Sequence, residues 1–317
     1  MSSFSSRIKE ELARLPSQKE CCHVAELAAL VRHDADVGLE GGVVRVERLT
    51  ITTESPVLAR RIFGVAKPIV SWPTTVAVRR KMRLKKNNAY VLGLTCSGEE
   101  LIRLGLVEKN GARVPGIAPR LVKKRCDRKA YLRGAFLASG SMSNPENSYH
   151  LEITCKEAEL AADLAALLNG FALKAGVSAR KHMHVVYLKD SDKLSEFLAL
   201  IGAHEGVLQF ENIRVMKDVR NTVNRQVNCD SANLTKTVNA ALRQQEKIRL
   251  IEGMVGFQAL PEHLRAVAQL RLQYPEATLK ELGEHVSPPI GKSGVSHRLK
   301  SVEEFADRVV REKGGGK

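Results

Sequence analysis

The sequence predicts an α+β fold built from two related halves, each of αββαββα order, followed by an all-α region. Three observations predict it. First, Tyr131 to Ser141 (YLRGAFLASGS) is a helix-compatible run in which Leu132, Phe136 and Leu137 supply apolar bulk while Gly134, Ala135 and Ala138 stay small. Small residues one turn apart let two helix backbones approach closely, which marks a contact helix rather than a solvated one. Second, Glu26 to Asp36 (ELAALVRHDAD) repeats that mixture, and a repeated contact helix points to two halves packed across a pseudo-two-fold seam. Third, strand signals stop at Val207, and the chain beyond it is strongly helix-forming.

Phe4, Ile8 and Leu12 give Ser3 to Leu15 an amphipathic helical spacing that ends at Pro16, an appendage packed on the first half. After the first contact helix, Gly41-Gly42 turns the chain into Val43 to Thr52, a β-branched strand. Ser55 caps and Pro56 opens the next helix. Strands Val76 to Lys85 and Ala89 to Cys96 follow, then a helix over Ser97 to Leu106. The second half repeats this order with strands at Ser141 to Ser143 and Tyr149 to Cys155, a helix over Lys156 to Ala175, a strand pair around Arg180 and His184 to Lys189, and a helix over Ser191 to Ile201. Helices over Val207 to Cys229 and Asn233 to Ile251 lead to a final set: Leu260 to Tyr274, Thr278 to Val286, and Ser293 onward. Thr278 and Glu281 have capping-box spacing. The expected domains are 1–108, a basic Gly- and Pro-containing linker at 109–129, 130–206, a helical connector at 207–259, and 260–317.

Fifty Lys plus Arg against 35 Asp plus Glu give 317 residues a net charge of +15, which favours a polyanionic partner, nucleic acid before an acidic membrane. The N-terminus has no signal-peptide core and no apolar run is long enough to cross a bilayer, so a cytoplasmic protein is expected. Aromatic residues are 4% of the chain, too few for RNA binding through rows of stacking side chains. The six cysteines, Cys21, Cys22, Cys96, Cys126, Cys155 and Cys229, lack paired metal-ligand spacing and read as buried or idle thiols; no metal site and no cofactor are expected.

Leu27 to Ala35 (LAALVRHDA) and Leu132 to Gly140 (LRGAFLASG) resemble the paired signature helices of LAGLIDADG homing endonucleases, and the matching element order spans roughly residues 20 to 202. The resemblance implies a saddle-shaped sheet surface that tracks DNA, and an acidic residue near the end of each signature helix holding divalent metal against the scissile phosphates. At those positions stand Asp34 and Ser139. A hydroxyl is a poor ligand for a hard cation compared with a carboxylate, so the pair is expected to be vestigial and Asp34 a solvated acid without catalytic duty. The alternative is a metal-dependent endonuclease or nickase in which Asp34 works with a non-standard second ligand. On the strand Val76 to Lys85, alternation sends Arg79, Lys81, Arg83 and Lys85 to one face and Val76, Val78, Met82 and Leu84 to the other. Four cations on one face repel each other unless an anion is near, which makes that face a candidate DNA surface.

In the last helix Val295, Leu299, Val302 and Phe305 form an inward stripe, with Ser293, His297 and Lys300 opposite, Ser296 beside them and Arg298 on the flank. These side chains can donate to phosphates or base edges in a major groove, while Lys280 and Lys292 hold the backbone. The three-helix order fits a helix-turn-helix. A LAGLIDADG-like pair followed by this unit, with CDRKAYLRGAFLASGSMSNPENSYHLE, VNCDSANLTKT and LKELGEHVSPPIGKSGVSHRLK as landmarks, resembles the WhiA family of bacterial regulators over essentially the whole chain. That resemblance implies a nucleoid-associated DNA-binding transcription regulator tied to cell division, chromosome segregation and, in spore-forming lineages, sporulation. It also implies a scaffold without cleavage activity, double-stranded DNA as partner and, in some members, cooperation with a WhiB-type iron–sulfur regulator.

Overall fold

The computed structural model describes residues 3–16, 19–34, 39–40, 43–44, 49–71, 74–80 and 88–314; for 34, 39–40, 43–44, 80 and 313–314 it describes only the backbone. The fold is α+β, and the chain divides into two compact units, Met1–Asp218 and Val219–Lys317. Helices α1 (Phe4–Ala13) and α2 (Glu20–Asp34) open the first unit. Strand pair β1 (Leu39–Glu40) and β2 (Val43–Val44) is followed by β3 (Leu49–Thr53), α3 (Pro56–Ala66), β4 (Thr75–Arg80), β5 (Asn88–Leu94) and α4 (Gly98–Arg103). The second half runs α5 (Arg125–Ser139), β6 (Gly140–Met142), β7 (Leu151–Cys155), α6 (Ala158–Asn169), β8 (Gly176–Arg180), β9 (Met183–Leu188) and α7 (Ser191–Ile201), reproducing the expected order.

Helices α2 and α5 form the seam, and they run parallel. Cys22 in the first turns of α2 lies by Asp127 in the first turn of α5, and His33 near the end of α2 meets Ser139 at the end of α5. The pairing is close because Gly134 has no side chain. A Cβ there would collide with the Glu26 carbonyl oxygen and stand 2.9 Å from the Ala29 Cβ. Leu27, Ala28, Ala29, Leu30 and Val31 are buried on one side, and Ala130, Leu132, Ala135, Phe136 and Leu137 on the other. At mid-seam Glu26 is fully buried and accepts from Arg61 of α3 at 2.7 and 2.8 Å and from Arg133 of α5 at 3.2 Å. Both guanidiniums also reach the backbone: Arg61 donates to the Leu15 carbonyl (2.6 Å) and Arg133 to the Ile201 carbonyl (2.7 Å).

Besides the β1–β2 pair, the two larger antiparallel sheets have strand orders β3-β5-β4 and β6-β7-β9-β8. Leu49, Ile51, Leu92 and Leu94 cover the core side of the first, and Leu151, Ile153, Val186 and Leu188 that of the second. β4 is one of the two edge strands of its sheet, and its surroundings change one expectation. Its alternation holds, pairing Val76 with Leu92 and Val78 with Tyr90, but both valines are exposed because nothing among the described residues covers the edge. Segment 45–48 lies outside the described residues, so the single strand expected over Val43 to Thr52 is described only in two pieces, β2 and β3.

Two further expectations are refined. The N-terminal helix packs on α3 of the first half as expected, but not on that half alone: the Ser5 hydroxyl accepts from the Met142 amide of β6, and Lys9 lies over the Phe136 ring. Its Glu11 carboxylate accepts the amides of Glu205 and Gly206, at 2.8 and 2.9 Å, at the head of helix α8 (His204–Met254). An acid at a helix start satisfies free amides and the dipole together. The basic segment 109–129 is not a free linker either. Ile117, Ala118 and Leu121 are buried, the Ile117 amide donates to Asp163, Arg32 donates to the carbonyls of Val114 and Gly105, and α5 already begins at Arg125. Apolar residues inside the Gly- and Pro-rich run anchor it.

The two helices expected between Val207 and Ile251 are one, since α8 contains neither Gly nor Pro from 207 to 252. Along it Val215, Val219, Val223, Val227, Leu234 and Val238 are exposed. The second unit adds α9 (Glu262–Gln273), α10 (Leu279–Glu284) and α11 (Lys292–Gly314). Its core joins Leu264, Val267, Leu282, Val295, Leu299 and Val302 to Ile248 and Ile251 from the end of α8. Thr278 and Glu281 form the expected capping box. Gly283 lets α10 meet the turn before α11: its carbonyl accepts from the Ile290 amide at 3.0 Å, and a Cβ would strike the Ile290 carbonyl oxygen.

Gly134→Ala is expected to destabilise the first unit by about 1–3 kcal/mol, the usual cost of overpacking a well-packed site. Gly64→Ala, on α3 with open space around its would-be Cβ, is expected to stabilise by about 0.5–1 kcal/mol through helix propensity. Urea unfolding followed by circular dichroism checks both signs.

Candidate nucleic-acid interface

Asp34 closes α2, and its side chain lies outside the described residues. Ser139 closes α5, and its hydroxyl stands 3.0 Å from Nδ1 of His33 across the seam. That same nitrogen lies 3.1 Å from the Thr154 carbonyl oxygen. A carbonyl only accepts, so Nδ1 carries the proton and shares it, while the Ser139 hydroxyl turns its own proton toward the Ala135 carbonyl at 3.5 Å. Nε2 is then a bare lone pair, buried with no hydrogen-bond partner among the described residues. Burial pushes the His33 imidazole down to about 4, against the Thr154 carbonyl and with help from Arg32, so the ring is neutral near pH 7. The position where a second carboxylate would stand is thus a neutral hydroxyl already engaged by a neutral imidazole. This donor set does not fit the divalent-metal pair that the signature-helix resemblance implies.

On the open face of the first sheet, Arg79 is exposed and shares a side with Thr75, Thr50 and Thr52 through the β4–β5–β3 register. The other strand cations, Lys81, Arg83 and Lys85, lie outside the described residues. On the open face of the second sheet Glu152 accepts from His150 (2.7 Å) and pairs with Arg180 (3.4 Å), so the acid there is compensated locally. Lys189, over the Tyr187 ring, lines the same depression.

In the second unit Val295, Leu299 and Val302 seat α11 on its core, with Ala306 and Val309 continuing the buried line; Phe305, expected in that line, is only partly buried. Ser293, Ser296, His297 and Lys300 are exposed, as are Lys280 on α10 and Lys292 at the head of α11, while Arg298 is half-buried. Further along, Arg243 of α8 pairs with Glu303 at 3.4 Å and Lys247 with Asp307. These ion pairs occupy Glu303 and Asp307, two of the acids of the later turns, while the first two turns of α11 carry no acid and present the polar and cationic face.

The reading of the cysteines as scattered is overturned. Cys21 and Cys22 at the head of α2 converge with Cys126 and Asp127 at the head of α5, their ligand atoms all within 4.8 Å of one another. The signal was present in the sequence. The pairing of Cys22 with Asp127 spans 105 residues, the same offset that superimposes Leu27 on Leu132 and Asp34 on Ser139, so the two signature runs already set Cys21 opposite Cys126. The buried Glu26–Arg61–Arg133 group was also missed. No local pattern pairs a glutamate with an arginine on another element.

Family models match the chain in three segments: the WhiA N-terminal LAGLIDADG-like domain over 20–107, the WhiA LAGLIDADG-like domain over 128–220 and the WhiA C-terminal HTH domain over 223–306. A Desulfitobacterium hafniense protein named probable cell division protein WhiA is 52% identical over 308 residues, covering 97% of this chain and 96% of its own length. A Heliobacterium modesticaldum protein of the same name is 48% identical over 315 residues, covering 98% of each. Among solved structures, full-length WhiA from Thermatoga maritima superimposes with a TM-score of 0.60 at 28% identity, covering 97% of this chain and 99% of that one.

The neutral, buried His33 makes a pH prediction. Its unfolded imidazole takes a proton near pH 6.5 and the folded one only near 4, so between those values the unfolded state binds more protons. Stability is therefore intact above about pH 6.5 and is lost as pH falls toward 4, by on the order of 3 kcal/mol. His33→Gln, which keeps an amide donor and cannot titrate, is expected to flatten that part of the profile in urea midpoints measured from pH 4 to 8.

Proposed function

The chain belongs to the WhiA family, and from that premise we propose that it is a sequence-specific DNA-binding transcription regulator acting in cell division. The observation that carries the reading is the start of α11. Ser293, Ser296, His297 and Lys300 stand exposed over buried Val295 and Leu299, with Lys280 and Lys292 nearby in the chain. A helix held rigidly by its apolar stripe and free on its donor-rich first turns suits insertion into a major groove. The net charge of +15 supplies the electrostatic, sequence-independent part of such binding.

In this reading DNA is bound and not cut. The neutral Ser139–His33 pair lacks the anionic charge needed to hold metal against both the attacking and leaving oxygens. The open sheet faces around Arg79 and Arg180, together with Lys81, Arg83 and Lys85, serve as a second, sequence-tolerant DNA surface. We place the protein on the nucleoid in the cytoplasm; among the described residues no helix is long and apolar enough to cross a membrane. Roles in chromosome segregation and sporulation, and a WhiB-type partner, belong to the same proposal and rest on family resemblance alone.

The purified protein is expected to shift duplex DNA and leave a supercoiled plasmid intact in magnesium or manganese. Metal-dependent nicking that disappears in Asp34→Ala would instead make it an endonuclease or nickase. Replacing His297 or Lys300 with Ala is expected to cost on the order of 1–3 kcal/mol on the preferred site and to flatten sequence preference. Neutralising Arg79, Lys81 and Arg83 is expected to weaken preferred and random DNA alike. The slope of log affinity against log salt should become shallower by about 0.9 for each phosphate that the variant no longer neutralises. Titrations of both DNAs at several salt concentrations distinguish the two classes.

A further inference from the structure

We propose that Cys21, Cys22, Cys126 and Asp127 form a zinc site that clips the first turns of α2 and α5 together. The geometry is compact. The four ligand atoms lie within 4.8 Å of one another, with the Asp127 carboxylate 3.3 Å from the Cys126 sulfur and 3.9 Å from the Cys22 sulfur. A tetrahedral zinc with Zn–S bonds of about 2.3 Å requires ligand atoms roughly 3.5–3.8 Å apart, so small side-chain rotations at four neighbouring positions close the site.

A second observation points to a cation independently of the cysteines. Asp127 is buried at 5% exposure, and among the described residues its carboxylate accepts from thiols, with no Lys, Arg or His paired to it. A carboxylate taken out of water calls for a compensating charge. Elsewhere on the seam buried Glu26 has two arginines; here that role falls to the metal. Three soft sulfurs select zinc over magnesium or calcium. The bound set of three thiolates, one carboxylate and Zn2+ carries a net charge of −2, which the positive ends of two fifteen-residue helices favour. In the metal-free protein burial pushes the Cys22 thiol up to about 12, and Asp127 raises the Cys21 thiol. Zinc binding releases the thiol protons to solvent, each S–H bond being replaced by a Zn–S bond. Cys21 and Cys126 are only partly buried, which leaves the ion a way in.

The site does not depend on the DNA-binding reading. It ties the halves together at the seam end opposite His33 and Ser139. The test uses the full-length chain, reduced and stripped with a chelator. Titration with Zn2+ against a chromophoric competitor is expected to show one metal per chain, and Co2+ is expected to give the visible bands and thiolate charge-transfer band of a tetrahedral sulfur site. Zinc should also raise the unfolding temperature. Cys126→Ser is expected to weaken binding at least about 100-fold and Asp127→Asn at least about 10-fold, with Cys229→Ser, at an exposed position outside the cluster, unchanged. Circular dichroism checks that each variant folds, and Cys21→Ser, at a half-exposed position, repeats the test should Cys126→Ser not fold. Uptake well below one metal per chain, or binding indifferent to Cys21, Cys126 and Asp127, overturns the proposal. So does a reduced protein that takes up no zinc but forms a Cys22–Cys126 disulfide with diamide, which would make the cluster a thiol switch.

Discussion

The close approach of α2 and α5 is the constraint on which the first unit depends. Gly134 sets it, because any side chain there would enter the space of the Glu26 carbonyl. Once the backbones are that close, the residues on either side must be small or point away along the seam, and each half presents its sheet from the same axis. The pairing also decides where charge can be buried. Glu26 is carried into the seam with no route to water, and two guanidiniums follow it, Arg61 from α3 and Arg133 from α5. Such a group contributes little net stability after desolvation, but it is costly to break, since losing one member leaves a buried charge without its partner. Its outer hydrogen bonds reach the carbonyls of Leu15 and Ile201, so one charge cluster registers the segment after α1, helix α3 and the end of α7 against the seam.

The two ends of the seam differ in chemistry although both arise from the same pairing. At the C-terminal end a buried, neutral imidazole shares its Nδ1 proton with a half-buried hydroxyl, and burial disfavours the charged form of the ring. At the N-terminal end soft thiols gather around a buried carboxylate beside two positive helix ends. A hard divalent cation held by carboxylates is disfavoured at the first end, and a soft one held by thiolates is favoured at the second. The scaffold thus retains the symmetry of a two-half fold while the polar groups placed on that symmetry differ from end to end.

In the second unit the constraint is the packing of short helices around a small core. That core does not close with α9, α10 and α11 alone, since Ile248 and Ile251 of α8 are fully buried within it. The ion pairs Arg243–Glu303 and Lys247–Asp307 fasten the later turns of α11 to α8. What remains free is the head of α11, where donor side chains are presented on a helix whose orientation is already fixed.

The sequence by itself determined what depends on near neighbours in the chain. The Ser55 and Thr278 caps, the helix–strand order of the second half, the small-residue seam at Gly134 and the buried stripe of α11 through Val302 all follow from local periodicity and capping, because a helix or strand is a local object. Tertiary structure alone decided which faces are covered and which distant groups meet. Val76 and Val78 alternate as expected yet stay exposed, since nothing among the described residues packs over β4, whereas Leu49 and Ile51 on the opposite edge strand are covered by the core. The basic segment before α5 has a linker's composition, yet Ile117 and Leu121 bind it to the core. Cys21 and Cys126 lie far apart in the chain and join only through the parallel pairing of two helices. His33 is neutral because burial removes the water that would stabilise its charge, and burial is a property of the assembled core.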